Sequence, residues 1–100
     1  MNPIARSSDA PDHDRTGQLL ANAREAWLLT RRQTDVLRLV VQGLSNKEIA
    51  DALGCAEGTV ELHLTMIFRK SGLQGRTRLI ASFWQGAFVL AAIEPVARAG

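Results

Sequence analysis

The amino-acid sequence predicts an all-α fold, and three observations support this prediction. Only three prolines and no tyrosine are present, whereas Ala, Leu and Arg, which favour helices, are frequent. From Leu19 onwards, apolar residues recur at the spacing of the buried side of a helix. In the middle of the chain, a short helix that starts at Ser45 is followed by a tight turn at Gly54 and a second amphipathic helix. This order is the outline of a helix-turn-helix, the unit that lays its second helix into the DNA major groove.

The length and composition limit the chain to one small domain. A chain of 100 residues, of which 46% are hydrophobic, can bury a modest core. Its net charge of +2 permits a nucleic-acid partner without demanding one. Cys55 is the only cysteine and the histidines are not clustered, so neither a disulfide nor a metal site is expected, and no cofactor is implied. The N-terminus carries no secretory signal, and a cytoplasmic location is expected.

The first part of the chain is predicted to divide into a tail and a helix. Residues 1–16 contain Pro, Ser and Asp with few apolar side chains, which predicts a flexible tail. Residues 17–28 are predicted to form a short amphipathic lead helix. Its apolar side chains at helical spacing are Leu19, Leu20, Ala23, Ala26 and Trp27. This helix could pack on the core of the chain or on a second subunit.

The next two helices have recognisable starts and stops. Thr30 is a suitable N-cap for the first of them and Gly43 a suitable stop. Ser45 can cap the second, and Glu48, three residues later, would complete a capping box. Gly54 is expected to end this helix.

The second helix of the motif is predicted from about Glu57 to Ser71. Its buried row comprises Val60, Leu64 and Ile67, and its outer side carries Glu61, Leu62, Thr65, Met66 and Arg69. Leu62 and Met66 on the outer side would suit contacts with thymine methyl groups. Packing of both side chains against a neighbouring element is an equal alternative.

The last helix is predicted to begin at residues 75–77 and to be long and apolar. Residues 79–93 carry no charge but are too few for a membrane span, so no membrane partner is expected. The apolar band is too wide for a single core contact, which favours self-association. The predicted dimer contacts are Leu79, Ile80, Phe83, Trp84, Ala87 and Phe88. Residues 94–100 are expected to be a flexible tail.

The central part of the chain resembles the LuxR/FixJ/GerE-type helix-turn-helix domain. The resemblance is carried by residues 29–37 and 43–50 and continues through Leu53, Gly54, Thr59, Val60, His63, Ile67, Phe68, Arg69, Lys70, Gly72, Arg76 and Thr77. It implies a four-helix domain at residues 29–93, with an extra N-terminal helix in front of it. It also implies a bacterial transcription regulator whose third helix, residues 57–71, reads double-stranded DNA and whose last helix forms a homodimer. Because only residues 1–28 precede the domain, the chain looks like a stand-alone regulator or a fragment of a longer one.

Three positions depart from the family pattern. Ala56 replaces the usual hydroxyl residue before the reading helix, which removes an N-cap worth about 1 kcal/mol. Glu61 stands where the family commonly carries Lys or Arg, and its carboxylate repels phosphates but can accept a hydrogen bond from a cytosine amino group. Ser71 replaces a leucine, which removes a core side chain.

The resulting site prediction divides the DNA contacts into two groups. The expected base-reading residues are Glu61, Leu62, Thr65 and Met66. The expected phosphate contacts are Asn46, Lys47, Thr59, Arg69, Lys70 and Arg76, with Arg78 just beyond them. An alternative is a protein-interaction module on the same fold that pairs with a related regulator through its last helix. An enzyme is not expected, because no nucleophile–base pair, phosphate-binding glycine loop or carboxylate pair is present.

Overall fold

The computed structural model describes residues 3–86 and residue 88, and it describes the side chains from Arg15 onwards except that of residue 87. In this part the chain forms five helices and no strand, which confirms the all-α prediction. The helices are α1 (Pro3–Ala26), α2 (Arg31–Val40), α3 (Asn46–Leu53), α4 (Glu57–Ser71) and α5 (Arg76–Gln85). No helix among these residues is long and apolar enough to cross a membrane.

The helices α2 and α3 each begin with a capping box. The Thr30 hydroxyl accepts from the Gln33 backbone N–H at 3.1 Å, and the Gln33 side-chain oxygen accepts from the Thr30 N–H at 3.0 Å. Ser45 and Glu48 exchange the same two bonds at 3.2 and 2.8 Å. Each box satisfies backbone donors that a helix start otherwise leaves unpaired. The predicted caps at Thr30 and Ser45 are therefore confirmed.

The core lies where α2, α3, α4 and α5 meet. Its largest fully buried side chains are Val36, Leu37, Val40, Ile49, Val60, Ile67, Leu79 and Phe83. α4 packs mainly on α2 and α3 through the predicted row of Val60, Leu64 and Ile67. Full burial of such a side chain contributes about 1.5–3 kcal/mol, so this row holds α4 in place with its opposite side facing solvent.

α1 is longer than the predicted lead helix, because it begins at Pro3 within the segment expected to be a flexible tail. Proline suits the first position of a helix, where its missing N–H leaves no bond unmade. Extending an existing helix also needs no new nucleus, so a packed segment further along can support the turns before it. That packed segment is anchored by Leu19, Ala23 and Trp27, all buried. The lead helix therefore packs on the core of its own chain.

The predicted long apolar C-terminal helix is not confirmed. α5 ends at Gln85, and Gly86 follows it in the left-handed conformation with φ 69°. Phe88 lies beyond this turn and is buried, with its ring 5.8 Å from that of Phe83 and 5.2 Å from that of Trp27. Much of the apolar band thus serves the core of the chain itself. Residues 87 and 89–93, and the predicted tail at 94–100, lie outside the described residues.

Candidate nucleic-acid interface

The solvent-facing side of α4 carries most of the predicted base-reading residues. Glu61, Leu62 and Thr65 are exposed, and Met66 is half-buried at the edge of this face. Leu62 has 62% of its surface exposed and is one of two large hydrophobic side chains so exposed in the described part. The Thr65 hydroxyl donates to the Glu61 carbonyl at 3.0 Å, which leaves its oxygen free to accept. The face therefore combines an apolar side chain, a carboxylate and a hydroxyl.

The first turn of α4 has no side-chain cap, as the presence of Ala56 predicts. Ala56 has the extended backbone of an N-cap residue, with φ −81° and ψ 153°, but its methyl group cannot accept a hydrogen bond. Its carbonyl instead accepts from the N–H groups of Thr59 and Val60 at 3.0 and 3.3 Å. Thr59, a predicted phosphate contact, is exposed on this turn.

The start of α3 lies beside the start of α5. One guanidinium nitrogen of Arg76 donates to the Asn46 side-chain oxygen at 2.8 Å, and the other donates to the Leu44 carbonyl. Asn46 and Arg76 were predicted as separate phosphate contacts, whereas in the structure they are hydrogen-bonded to each other. Lys47, next to Asn46, is exposed.

A groove between α3, α4 and α5 joins the two predicted groups of DNA contacts. It is lined by Asn46, Glu61, Leu64, Thr65, Phe68 and Arg76. Glu61 forms no ion pair with any side chain that the structure describes. Its carboxylate is therefore available to a partner that enters the groove from the outer face of α4.

Lys70 is placed differently from the sequence prediction. Its ammonium donates to the Leu28 carbonyl and to the Gln33 side-chain oxygen, both at 2.9 Å. The charge expected to contact a phosphate is thus held within the chain, at the junction of α1 and α2. Sequence reasoning missed the role of Gln33, although its place three residues after the cap Thr30 signals a capping box.

Ser71 occupies a buried position at the end of α4. Its hydroxyl accepts from the Leu73 N–H at 3.2 Å and donates to the Phe68 carbonyl at 3.4 Å. The predicted loss of a core side chain is thus accompanied by hydrogen bonds that support the turn at Gly72.

The cations predicted to contact phosphates differ in their exposure. Arg69 is exposed on the same side as Leu62, and Arg78 is exposed on the first turn of α5. Lys47 is exposed as well, whereas Lys70 and Arg76 are half-buried and hydrogen-bonded within the chain.

The predicted dimer contacts are largely used within the chain. Leu79, Phe83 and Phe88 are buried in the core, Ile80 and Trp84 are half-buried, and Ala87 lies outside the described residues. The Trp84 indole donates to the Val41 carbonyl at 3.0 Å, and the Arg15 guanidinium lies 5.8 Å from the centre of the Trp84 ring. Arg15 also donates to the Trp84 carbonyl. Nothing in the sequence signalled that α1 covers this part of α5.

Comparisons with known proteins identify the family of the central part of the chain. The family model of bacterial regulatory proteins of the luxR family matches residues 28–83. The nitrate/nitrite response regulator protein NarP of Escherichia coli K12 is 41% identical over 58 residues, which are 58% of this chain and 27% of NarP. The fimbriae Z protein of the same strain is 36% identical over 73 residues, which are 73% of this chain and 35% of that protein.

The chain is much shorter than the relatives it matches. A protein of Mycobacterium tuberculosis H37Rv is 44% identical over 64 residues, which are 64% of this chain but only 7% of that protein. No solved structure matches the chain with significance. Because the family model spans residues 28–83, from the α1–α2 junction to the core of α5, this chain belongs to the luxR family of bacterial regulatory proteins.

Proposed function

We propose that this protein is a sequence-specific transcription regulator that reads the DNA major groove with the outer face of α4 and binds a two-fold site as a homodimer. The observation that carries the proposal is the sidedness of α4. Its row of Val60, Leu64 and Ile67 is buried, while Glu61, Leu62 and Thr65 face solvent. An α-helix fits the major groove, and side chains on its exposed face can reach the edges of the bases.

Glu61 and Leu62 are the proposed determinants of sequence preference. A carboxylate can accept a hydrogen bond from the amino group of cytosine, and an aliphatic side chain can pack on the methyl group of thymine. Each good base contact discriminates by about 1–3 kcal/mol against a wrong base. Because Glu61 forms no ion pair within the described part of the chain, a hydrogen bond from cytosine to its carboxylate would break no internal ion pair.

Affinity comes from the exposed cations near α4. Lys47, Arg69 and Arg78 can neutralise phosphates, and Thr59 and Asn46 can add neutral hydrogen bonds. Each neutralised phosphate changes the slope of log K against log salt by about −0.9. Three such cations in each subunit of a dimer therefore give an expected slope of about −5.

The proposed homodimer uses the outward side of α5. Phe83 and Phe88 are buried, so the surface left for a second subunit comprises the exposed Thr77, Ala81 and Gln85 with the half-buried Ile80 and Trp84 at its edge. None of the exposed side chains there is a large hydrophobic, so simultaneous binding of two subunits to adjacent half-sites would add to their association.

A protein-interaction module remains the second candidate. The observation that favours it is the exposed pair of Leu62 and Glu61 on the outer face of α4. An apolar side chain and a carboxylate are not what a strongly cationic DNA-binding surface would need. A related regulator would then bind this face in place of DNA. The buried state of Phe83 and Phe88 removes the apolar surface on which a partner of the last helix was expected.

The test is a salt titration of binding to random duplex DNA, combined with selection of preferred sites from a random library. Glu61→Lys should strengthen binding to any DNA and change the selected sequence, because it replaces a base acceptor by a cation. Glu25→Lys, which makes the same charge change at an exposed position of α1, is the matched control. It should leave the selected sequence unchanged.

Two outcomes would overturn the proposal. If both variants select the site of the original chain, α4 does not read DNA as proposed. If the folded original chain binds no duplex at low salt, the protein-interaction module becomes the better explanation, and light scattering with candidate regulators would follow.

A further inference from the structure

Arg76 spans the start of α3 with a two-pronged contact. One nitrogen of its guanidinium donates to the Asn46 side-chain oxygen at 2.8 Å, and the other donates to the Leu44 carbonyl. These two acceptors stand on either side of Ser45, the N-cap of α3. Arg76 is itself the first residue of α5, so a single side chain joins the starts of two helices that flank the outer face of α4.

This contact determines which way the Asn46 amide faces. A guanidinium only donates hydrogen bonds, so the atom of the amide that meets it must be the oxygen. The amide nitrogen, with two N–H groups, is consequently directed away from Arg76. Asn46 is half-buried in the first turn of α3, where the helix dipole also favours an anion and the Glu48 carboxylate already accepts from the Ser45 N–H.

We propose that Arg76 is a positioning residue of the DNA interface, which holds the Asn46 amide with its N–H groups directed at a phosphate and does not itself neutralise one. This inference rests on the proposed DNA binding. The Asn46 amide and the Arg76 guanidinium both line the groove that contains Glu61, so the same contact sets the position of one wall of that groove relative to α4.

Lysine cannot replace arginine in this role. A guanidinium presents several donors in a rigid planar fork and can reach two acceptors at once, whereas an ammonium is a compact charge on a flexible stem. A phosphate contact, in contrast, is largely preserved when arginine is replaced by lysine, because both carry the positive charge. The two roles therefore predict different results for Arg76→Lys.

The experiment measures DNA affinity, its salt dependence and thermal unfolding for Arg76→Lys, Arg76→Gln, Asn46→Ala and the double variant Asn46→Ala with Arg76→Gln. Arg76→Gln should lower affinity about tenfold per subunit, the value of one charge-assisted hydrogen bond, without changing the salt slope. Arg76→Lys should not restore the affinity. The double variant should bind no more than about twofold worse than Asn46→Ala, because both changes remove the same contact.

Asn46→Asp separates positioning from mere support of the fold. An aspartate keeps an acceptor for Arg76, so the unfolding temperature should stay at or above that of the original chain. It loses the outward N–H groups and adds a negative charge, so DNA affinity should fall further than in Asn46→Ala. A purely structural role for the contact predicts that Asn46→Ala, which adds no charge, binds DNA normally at temperatures where it stays folded.

The outcomes are distinguishable from failure of the proposed function. If the original chain binds no DNA, the proposed function fails and the inference falls with it. If the original chain binds, the inference is overturned by a salt slope whose magnitude drops by about 0.9 per bound subunit in Arg76→Gln and recovers in Arg76→Lys, which is the behaviour of a phosphate contact. It is also overturned if the loss of DNA affinity in the double variant equals the product of the losses in Asn46→Ala and Arg76→Gln.

Discussion

The ammonium of Lys70 lies 2.9 Å from the side-chain oxygen of Gln33, a residue that precedes it by 37 positions. The contact joins the last turn of α4 to the first turn of α2. Gln33 is only 6% exposed, and its oxygen also accepts from the Thr30 N–H in the capping box. The end of α4 is therefore held against the start of α2 by hydrogen bonds as well as by apolar packing.

Lys70→Met is expected to lower the free energy of unfolding by about 1–2 kcal/mol. The substitution removes a charged donor from two acceptors, of which the Gln33 oxygen retains its bond with Thr30. The slope of DNA affinity against salt should stay unchanged, because the two hydrogen bonds hold the ammonium within the chain. Urea unfolding and salt titration check the two expectations.

The neighbouring Arg69→Met is the matched control for Lys70. Arg69 is exposed on the outer side of α4, so its loss should change stability by less than about 0.5 kcal/mol. It should reduce the magnitude of the salt slope by about 0.9 for each subunit that contacts DNA. If Lys70→Met, rather than Arg69→Met, reduced the salt slope, Lys70 would have to turn outward when DNA binds.

Ala56→Ser is expected to raise the free energy of unfolding by about 1 kcal/mol. The backbone of residue 56 already has the extended geometry of an N-cap, so a hydroxyl there can accept from the first turn of α4 without rearrangement. Thermal or urea unfolding measures the gain. Ser45→Ala removes an existing cap from α3 and should produce a loss of similar size. An unchanged stability in Ala56→Ser would mean that the first turn of α4 is satisfied in another way.

Trp27→Ala is expected to lower the free energy of unfolding by about 3–5 kcal/mol. Trp27 is 2% exposed, and its ring meets that of Phe88 edge to face at 5.2 Å, so truncation leaves a large cavity between α1 and the core. The adjacent Leu28→Ala is the control, because Leu28 is 77% exposed and should change stability by less than about 0.5 kcal/mol. Equal, small effects of both substitutions would show that α1 does not pack on the domain.

Local features made the helix starts and the buried row of α4 predictable. The capping residues Thr30 and Ser45 form hydrogen bonds with residues only three positions away in the sequence. The buried row from Val60 to Ile67 follows the periodicity of a single helix. The match of residues 28–83 to the luxR family of bacterial regulatory proteins also confirms the family resemblance of this part of the chain. The caps and the buried row depend on short stretches of sequence, in which the spacing of residues is enough to predict which side chains are in contact.

The roles of the cations and of the last helix could not be predicted in the same way. Lys70 and Arg76 look like phosphate contacts in the sequence, because nothing near them in the chain requires their charge. Their partners Gln33 and Asn46 lie 37 and 30 residues away, and only the packing of α4 and α5 brings them within reach.

The sequence by itself determined the helix-turn-helix, its caps and the outer face of α4, since each follows from interactions within one or two turns of a helix. Only the tertiary structure decided which apolar and charged groups remain for a partner. α1 lies against α5 and Phe88 packs on Trp27, so Phe83 and Phe88, which were predicted as subunit contacts, are buried in their own chain. An apolar side chain is buried by whichever surface reaches it, and the sequence does not state whether that surface belongs to the same chain.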